Sequence, residues 1–266
     1  METIIVADDW GGCPLDELVS AHWPRVAKGL IRELVRAGLI TVDGRPAQPG
    51  DSLRAGQLVM LEEDLAAHER ETIPAIEIVV LYEDEHLLAI AKPPGIPVEP
   101  SRWGEHPIYL AGAVLSWAES RAGEGPLLKR PRLLHRLDLG TSGVLLFALS
   151  LEAERFYRGL FAAAAVEKVY HALVIGMLDE PGVVDAPIGP DERRVGRMRV
   201  DGSGKAAQTS YTPLEVFHGH TWIEARPRTG RTHQIRLHMA SLGHPLAVDE
   251  TYGGSTSMLL SHLKRS

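Results

Sequence analysis

From Ile76 onward the chain consists of short apolar runs joined by charged or glycine-centred turns, a pattern that restricts it to a sheet folded on itself through hairpins. Ile78–Tyr82 and Leu87–Ala91 flank the charged turn Glu83–His86, and Gln208–Phe217 and Thr221–Arg226 flank Gly219. Val144–Leu149 is apolar at every position, as a buried strand reads. Lys168–Ile175 is a further strand. Between these lie a helix-like stretch, Ile108–Glu119, and a helix over Leu151–Ala165 for which Ser150 is a suitable N-cap. Hairpins in succession with helices interspersed predict an α+β domain over 76–266, with a mixed, largely antiparallel sheet.

The front of the chain has a different rhythm. Leu15–Ala21 and Val26–Ala37 read as amphipathic helices, the second stopping at Gly38. Leu39–Val42 then runs into Asp43-Gly44, a type I′ hairpin signal, and Gly50-Asp51 turns the chain again before Gln57–Leu61. Residues 1–61 thus form a helix–helix–hairpin module, too small to bury much surface alone and expected as an accessory to something larger. Residues 62–75 are acidic and polar, with only Leu65 and Ile73 as large apolar groups, and read as a linker.

The single cysteine, Cys13, excludes an internal disulfide framework and a multi-cysteine zinc site. With no signal peptide and no apolar run long enough to span a bilayer, a soluble cytoplasmic protein without a membrane partner is expected. Neither a G-x-x-x-x-G-K-[ST] loop nor a G-x-G-x-x-G turn is present, so nucleotide cofactors gain no support. The net charge of −7 disfavours a polyanionic partner on average, but it is unevenly distributed. Residues 1–124 hold 10 basic and 21 acidic side chains, a balance of −11, whereas residues 125–240 hold 16 and 12, a balance of +4. A local basic surface is therefore permitted in the second half.

Three polar segments stand out. Leu134-His135-Arg136-Leu137-Asp138-Leu139-Gly140-Thr141-Ser142-Gly143 leads directly into the apolar strand, which sets a carboxylate on a Gly-flanked loop at the mouth of a sheet. Asp138 there suits a reacting role, and equally suits capping a turn through Thr141. Gly230-Arg231-Thr232-His233-Gln234-Ile235-Arg236-Leu237-His238 reads as the start of a helix over about 233–242, with Thr232 as N-cap, Gly243 as its C′ residue and Pro245 beyond. Arg236 lies one turn past His233 on the same face. His233 and His238, five residues apart, point about 140° away from each other and do not converge on a metal ion. Glu167-Lys168-Val169-Tyr170-His171-Ala172 puts Tyr170 on one strand face with Lys168 and Ala172, which by itself signals only packing.

Taken together and in order, these segments resemble the RluA family of RNA pseudouridine synthases. His135-Arg136-Leu137-Asp138 with Thr141-Ser142-Gly143 resembles its catalytic motif. Lys92-Pro93-Pro94-Gly95-Ile96-Pro97-Val98 resembles its first motif, and Lys168 to Gly176 its tyrosine-bearing strand. Gly204-Lys205-Ala206-Ala207-Gln208-Thr209 matches a further segment, and Thr229 to Arg236 running into Gly243-His244-Pro245 the last. Residues 12–61 are similar to the alpha-L RNA-binding module that often precedes such a domain.

The resemblance implies an isomerase that needs no cofactor or metal. It breaks the C–N glycosidic bond of a uridine in folded RNA, turns the base and rejoins it through C5. It implies Asp138 as nucleophile on C1′ or C6, or as the base that starts elimination, Arg236 as its cationic partner, and Tyr170 beside the target base. Arg136, Lys92, Arg231 and His233 are implied as substrate-binding, and His135 as structural. The partner is RNA, ribosomal in preference to transfer RNA, and the protein is expected to act as a monomer. Arg25, Lys28, Arg32 and Arg36 could line one helix toward phosphate, and Arg193, Arg194, Arg197 and Arg199 form a basic loop that would grip RNA backbone. Val248 departs from the pattern, standing where the family has glycine before Asp249, and the front module lacks its usual opening arginine. The alternatives weighed are a catalytically silent RNA-binding or ribosome-assembly factor on the same fold, and a hydrolase using Asp138 with a histidine.

Overall fold

The computed structural model describes residues 2–23, 25–68, 76–99, 108–121, 131–194 and 196–258. It divides into two compact units, residues 1–157 and 158–266.

The first unit opens with β1 (Glu2–Ile5), α1 (Leu15–His22), α2 (Lys28–Arg36), β2 (Ile40–Val42), β3 (Arg45–Pro46) and β4 (Leu58–Leu61), the strands forming an antiparallel sheet in the order β1-β4-β2-β3. Asp43 and Gly44 both have positive φ, 51° and 72°, as a type I′ turn requires. The Asp43 carboxylate also accepts N–H bonds from Leu58 and from Gln57 Nε2, which ties the hairpin tip to β4. Leu15, Leu18, Val19, Ile31, Val35, Ile40, Val59 and Leu61 close a core of their own. Leu65, in the stretch expected to be a linker, is buried in that core; residues 69–75 of that stretch lie outside the described residues.

A second sheet follows: β5 (Val80–Glu83), β6 (Leu87–Lys92), β7 (Arg132–Leu133) and β8 (Gly143–Ala148), in the order β5-β6-β8-β7 and antiparallel throughout. Asp84 accepts the N–H groups of His86 and Leu87 and so closes the β5–β6 turn. One face packs on α3 (Leu110–Ser120) through Leu88, Ile90, Leu145 and Phe147 against Leu110 and Val114. The apolar run of β8 is not buried from its first residue as expected: Val144 is exposed and Leu146 half-buried, while Leu145 and Phe147 to Leu149 are buried. Ser150 Oγ accepts the N–H of Ala153 at 2.9 Å and caps α4 (Leu151–Ala162), as its position implies.

The second unit contains β9 (Tyr170–Ile175), β10 (Gly182–Asp185), β11 (Ile188–Pro190), β12 (Met198–Val200), β13 (Gln208–Phe217), β14 (His220–Pro227) and α5 (Gln234–Ser241). Its main sheet runs β10-β13-β14-β9, and β11 and β12 form a separate two-stranded ribbon. Every strand pairing among the described residues is antiparallel. The expected N-cap at Thr232 is not what starts α5. His233 sits at that position in the left-handed region, φ 58°, with no side-chain cap. The Gln234 carboxamide, at the first helical position, accepts the N–H of Arg231 and so holds the preceding turn. Gly243, φ 84°, ends the helix as its C′ residue.

Candidate active site

The residues singled out in the sequence are split between the units, and each group is built by its own unit. In the first, Asp138 lies half-buried on the loop between β7 and β8, whose turn is closed by the N–H of Thr141 on the Asp138 carbonyl. Below this loop is Lys92, the last residue of β6, with a side chain only 1% exposed. Its ammonium donates to the carbonyls of Pro93, Leu139 and Thr141 at 2.9, 3.1 and 2.9 Å. Gly95 N–H adds a bond to Leu139 O, so the segment 92–95 and the Asp138 loop are stitched together. Burial pushes the Lys92 ammonium below its ordinary pKa, and the charge of Asp138 pulls it back up. The cation thus sits within electrostatic reach of the carboxylate while bonding only main chain. An ammonium has three donors, and here each faces a carbonyl, so Lys92 ties this loop together.

His135 accepts the N–H of Leu146 through Nε2 at 3.3 Å and holds the loop's start to β8, in keeping with a structural role. Arg136 projects to the surface, where one guanidinium nitrogen lies 3.3 Å from Glu99. Such an exposed pair contributes little and leaves the side chain available to a polyanion.

In the second unit Tyr170 opens β9, paired with Ala225 of β14 and packed against the cluster around Val174, Ile223 and Met239. Arg236 on α5 forks onto Asp249, Nε to Oδ2 at 2.6 Å and Nη2 to Oδ1 at 2.8 Å, and its guanidinium lies 4.9 Å from the Tyr252 ring centre. Burial acts to raise the pKa of Asp249, but the hydrogen bonds and charge of Arg236 with the N–H groups of Thr251 and Tyr252 outweigh it and hold the carboxyl below 3.8. The departure at Val248 costs the turn nothing, because Val248 is exposed and is not among the residues with positive φ. The close approach falls instead at Gly254, where a Cβ would meet Leu246 O and Asp249 N at 2.3 Å. His233 Nδ1 is 2.6 Å from the Tyr252 hydroxyl, and Arg231 Nε donates to Ala206 O at 3.0 Å.

Gln234, which the motif contains but no role was assigned to, is the hub of this region. Its carboxamide oxygen accepts from Thr229 Oγ1 and Arg231 N–H, and its NH₂ donates to Gln208 O and Thr209 Oγ1. All four capacities of the amide are used, which joins the 204–209 and 229–236 motifs into one piece. Lys168 donates to Thr229 O; burial, and secondarily the charge of Arg231, lower its pKa.

Three of the four cations of the front module are engaged by carboxylates, and Arg36 is exposed. Lys28 pairs with Asp16 and Glu17, Arg32 donates to Asp16 at 2.7 Å, and Arg25 binds Glu119 of α3. Of the arginine loop, Arg197 donates to Thr251 O and Arg199 to Asp201, while Arg193 and Arg194 are exposed at the tip of the β11–β12 ribbon.

Comparison with known proteins accords with this arrangement of motifs. A family model described as RNA pseudouridylate synthase matches residues 86–241. The chain is 36% identical over 244 residues to ribosomal large subunit pseudouridine synthase D of Pseudomonas aeruginosa, covering 92% of this chain and 75% of that protein. It is 32% identical over 263 residues to ribosomal large subunit pseudouridine synthase C of Vibrio parahaemolyticus, covering 95% and 80% respectively. Among solved structures, human RNA pseudouridylate synthase domain containing 1 is similar with a TM-score of 0.55 at 26% identity, over 68% of this chain and 71% of that one. The α+β fold and its motifs are those of an RNA-modifying isomerase. The chain belongs to the RNA pseudouridylate synthase family, and its activity is the conversion of uridine to pseudouridine in RNA.

Proposed function

We propose that this enzyme acts on ribosomal RNA in the cytoplasm, as a monomer, with Asp138 as the reacting carboxylate. The choice of RNA is supported by relatives whose names specify the large ribosomal subunit. Among the described residues no helix is long and apolar enough to cross a membrane. The proposed organisation is an alpha-L RNA-binding-like module over 1–61, a linker over 62–75 and the catalytic domain over 76–266.

The reading of the site is carried by the Asp138 loop, a half-buried carboxylate on main chain pinned by a buried ammonium. Isomerisation requires the C1′–N1 bond to break, the uracil to turn, C5 to bond to C1′, and the C5 proton to leave. Attack at C1′, attack at C6 and proton abstraction all need Asp138 ionised and fixed in place, so each gains from the same scaffold. Arg236, oriented by Asp249, is the cation that would keep the enclosed carboxylate ionised. Tyr170 would lie beside the base and handle the C5 proton. The target must leave its stack to present C1′ and C6 to one carboxylate, and Arg136 would hold or replace the extruded nucleotide. His233 and Arg231 would contact the substrate strand from the α5 side, and Arg193 and Arg194 would grip RNA backbone.

Mapping pseudouridines in total RNA from cells with and without the gene tests this reading. Loss of one or a few sites in large-subunit ribosomal RNA is the expected result; an unchanged ribosomal map with sites lost only from transfer RNA would contradict it.

A further inference from the structure

Tyr252 touches both the ribbon and the arginine of α5. Its hydroxyl is 2.6 Å from His233 Nδ1 and accepts the N–H of Met198, the first residue of β12, at 3.2 Å. Its ring lies under the Arg236 guanidinium at 4.9 Å and meets the His233 ring edge-on at 5.5 Å. The neighbouring residues repeat the connection. Thr251 O accepts from Arg197 at the end of the ribbon turn, while Asp249 forks onto Arg236 and accepts the Thr251 N–H. The stretch 249–252 is therefore bonded on one side to the ribbon that presents Arg193 and Arg194, and on the other to Arg236.

A two-stranded ribbon with three residues in each strand has little stability of its own, because so few ladder bonds oppose the entropy of ordering it. Its direction is set by what it is tied to. Main-chain bonds between Ile188 and Lys205 hold the base of β11. On the β12 side the side-chain ties are the Tyr252 hydroxyl and the Arg197–Thr251 bond, together with packing of Tyr252 and Met198 against Ile188, Ala207 and Leu237. Tyrosine suits such a joint because its apolar ring packs in a core while its hydroxyl still reaches polar groups.

We propose that Tyr252 is a positioning residue that fixes the arginine ribbon relative to Arg236, so that RNA backbone held at Arg193 and Arg194 is delivered in register with the catalytic arginine. The proposal rests on the reading of the ribbon as an RNA grip. Its consequence is that the Tyr252 hydroxyl contributes to RNA affinity through the ribbon arginines and not independently of them.

A double-variant cycle tests this on the full-length enzyme, with ribosomal RNA from cells lacking the gene as the probe. Filter binding gives Kd, and tritium release from C5-labelled uridine in the same RNA gives kcat and KM. Tyr252→Phe keeps the ring under Arg236 and removes the hydroxyl; it should raise Kd and KM about fivefold with kcat changed less than about twofold, the scale of one lost hydrogen bond. Combined Arg193→Ala and Arg194→Ala should weaken binding more strongly, and in that background Tyr252→Phe should add less than about 1.5-fold. An unchanged Kd for Tyr252→Phe in the otherwise native chain, or the same factor in both backgrounds, would overturn the proposal. Should Tyr252→Phe lack a cooperative melt, the cycle is run with Arg197→Met, which severs the second tie and carries the same expectation. Because binding is read apart from turnover, a wild-type enzyme that binds but releases no tritium would refute the proposed substrate while leaving this cycle interpretable.

Discussion

The ammonium of Lys92 binds the main-chain carbonyl one residue past Asp138 and, again, the carbonyl three residues past it. A charge buried for the sake of three carbonyls is costly, and it stiffens the loop that carries Asp138, the carboxylate we propose to react.

Replacing Lys92 with Met keeps an unbranched side chain, one atom shorter, and removes every donor. Three carbonyls then lose the ammonium, Leu139 O keeping only the Gly95 N–H, and the fold should lose about 2–4 kcal/mol, read by urea denaturation. Under conditions where the variant is still folded, kcat should fall about 100-fold, since displacement of a reacting group by about 1 Å has that effect, with KM changed little. A variant destabilised to that extent but with native kcat would show that the clamp serves the fold alone.

The Asp249–Arg236 fork predicts a pH dependence with a definite sign. The folded-state pKa of Asp249 lies below the ordinary 3.8, so its contribution is complete above that value and is lost as pH falls through the lower folded pKa. Asp249→Asn should cost about 2 kcal/mol near neutrality, a difference that stays flat from about pH 8 to 5 and shrinks below about pH 4. Parallel denaturation curves of the two proteins down to pH 3 measure it; a gap that widened with acid would have the wrong sign. Because Arg236 loses its fork, kcat should fall in the same variant.

Much of the scaffold was legible because its signals are local. Asp43-Gly44 dictates its turn through positive φ at both residues, Ser150 its cap, and Gly219 its hairpin. The strands that escaped are those whose residues argue against them. Gly189-Pro190 in β11 lacks strand formers, and β7 is two residues long. β1 exists only because β4 offers it an edge. Asp138, Tyr170 and Arg236 were legible as motif members, whereas the bonds that Lys92 makes were not. A lysine closing a strand reads as exposed, and the carbonyls that bury it lie 47 and 49 residues onward. Gln234, Asp249 and Tyr252 also act through partners outside their own segments, 26, 13 and 54 residues away for Gln208, Arg236 and Met198, and nothing in their immediate sequence announces it.

Within the first unit, Arg132 is buried between Glu17 of α1 and Glu154 of α4, with the second contact at 3.1 Å, and its Nε has no partner among the described residues. Arg132→Met should leave two carboxylates facing each other and cost about 3 kcal/mol, and adding Glu17→Gln should return about 1 kcal/mol of it. Denaturant midpoints of the single and double variants check this. Equal stability of wild type and Arg132→Met would mean that the triad contributes nothing net. Because Arg132 opens the strand that leads to Asp138, the same variant should also slow turnover.

The central claim is that the Asp138 carboxylate does the chemistry. Asp138→Asn preserves shape and removes the ionisable charge. Tritium release from C5-labelled uridine in ribosomal RNA should fall at least about 10⁴-fold, with RNA affinity within about threefold of wild type. Substantial tritium release by the asparagine variant would contradict the account.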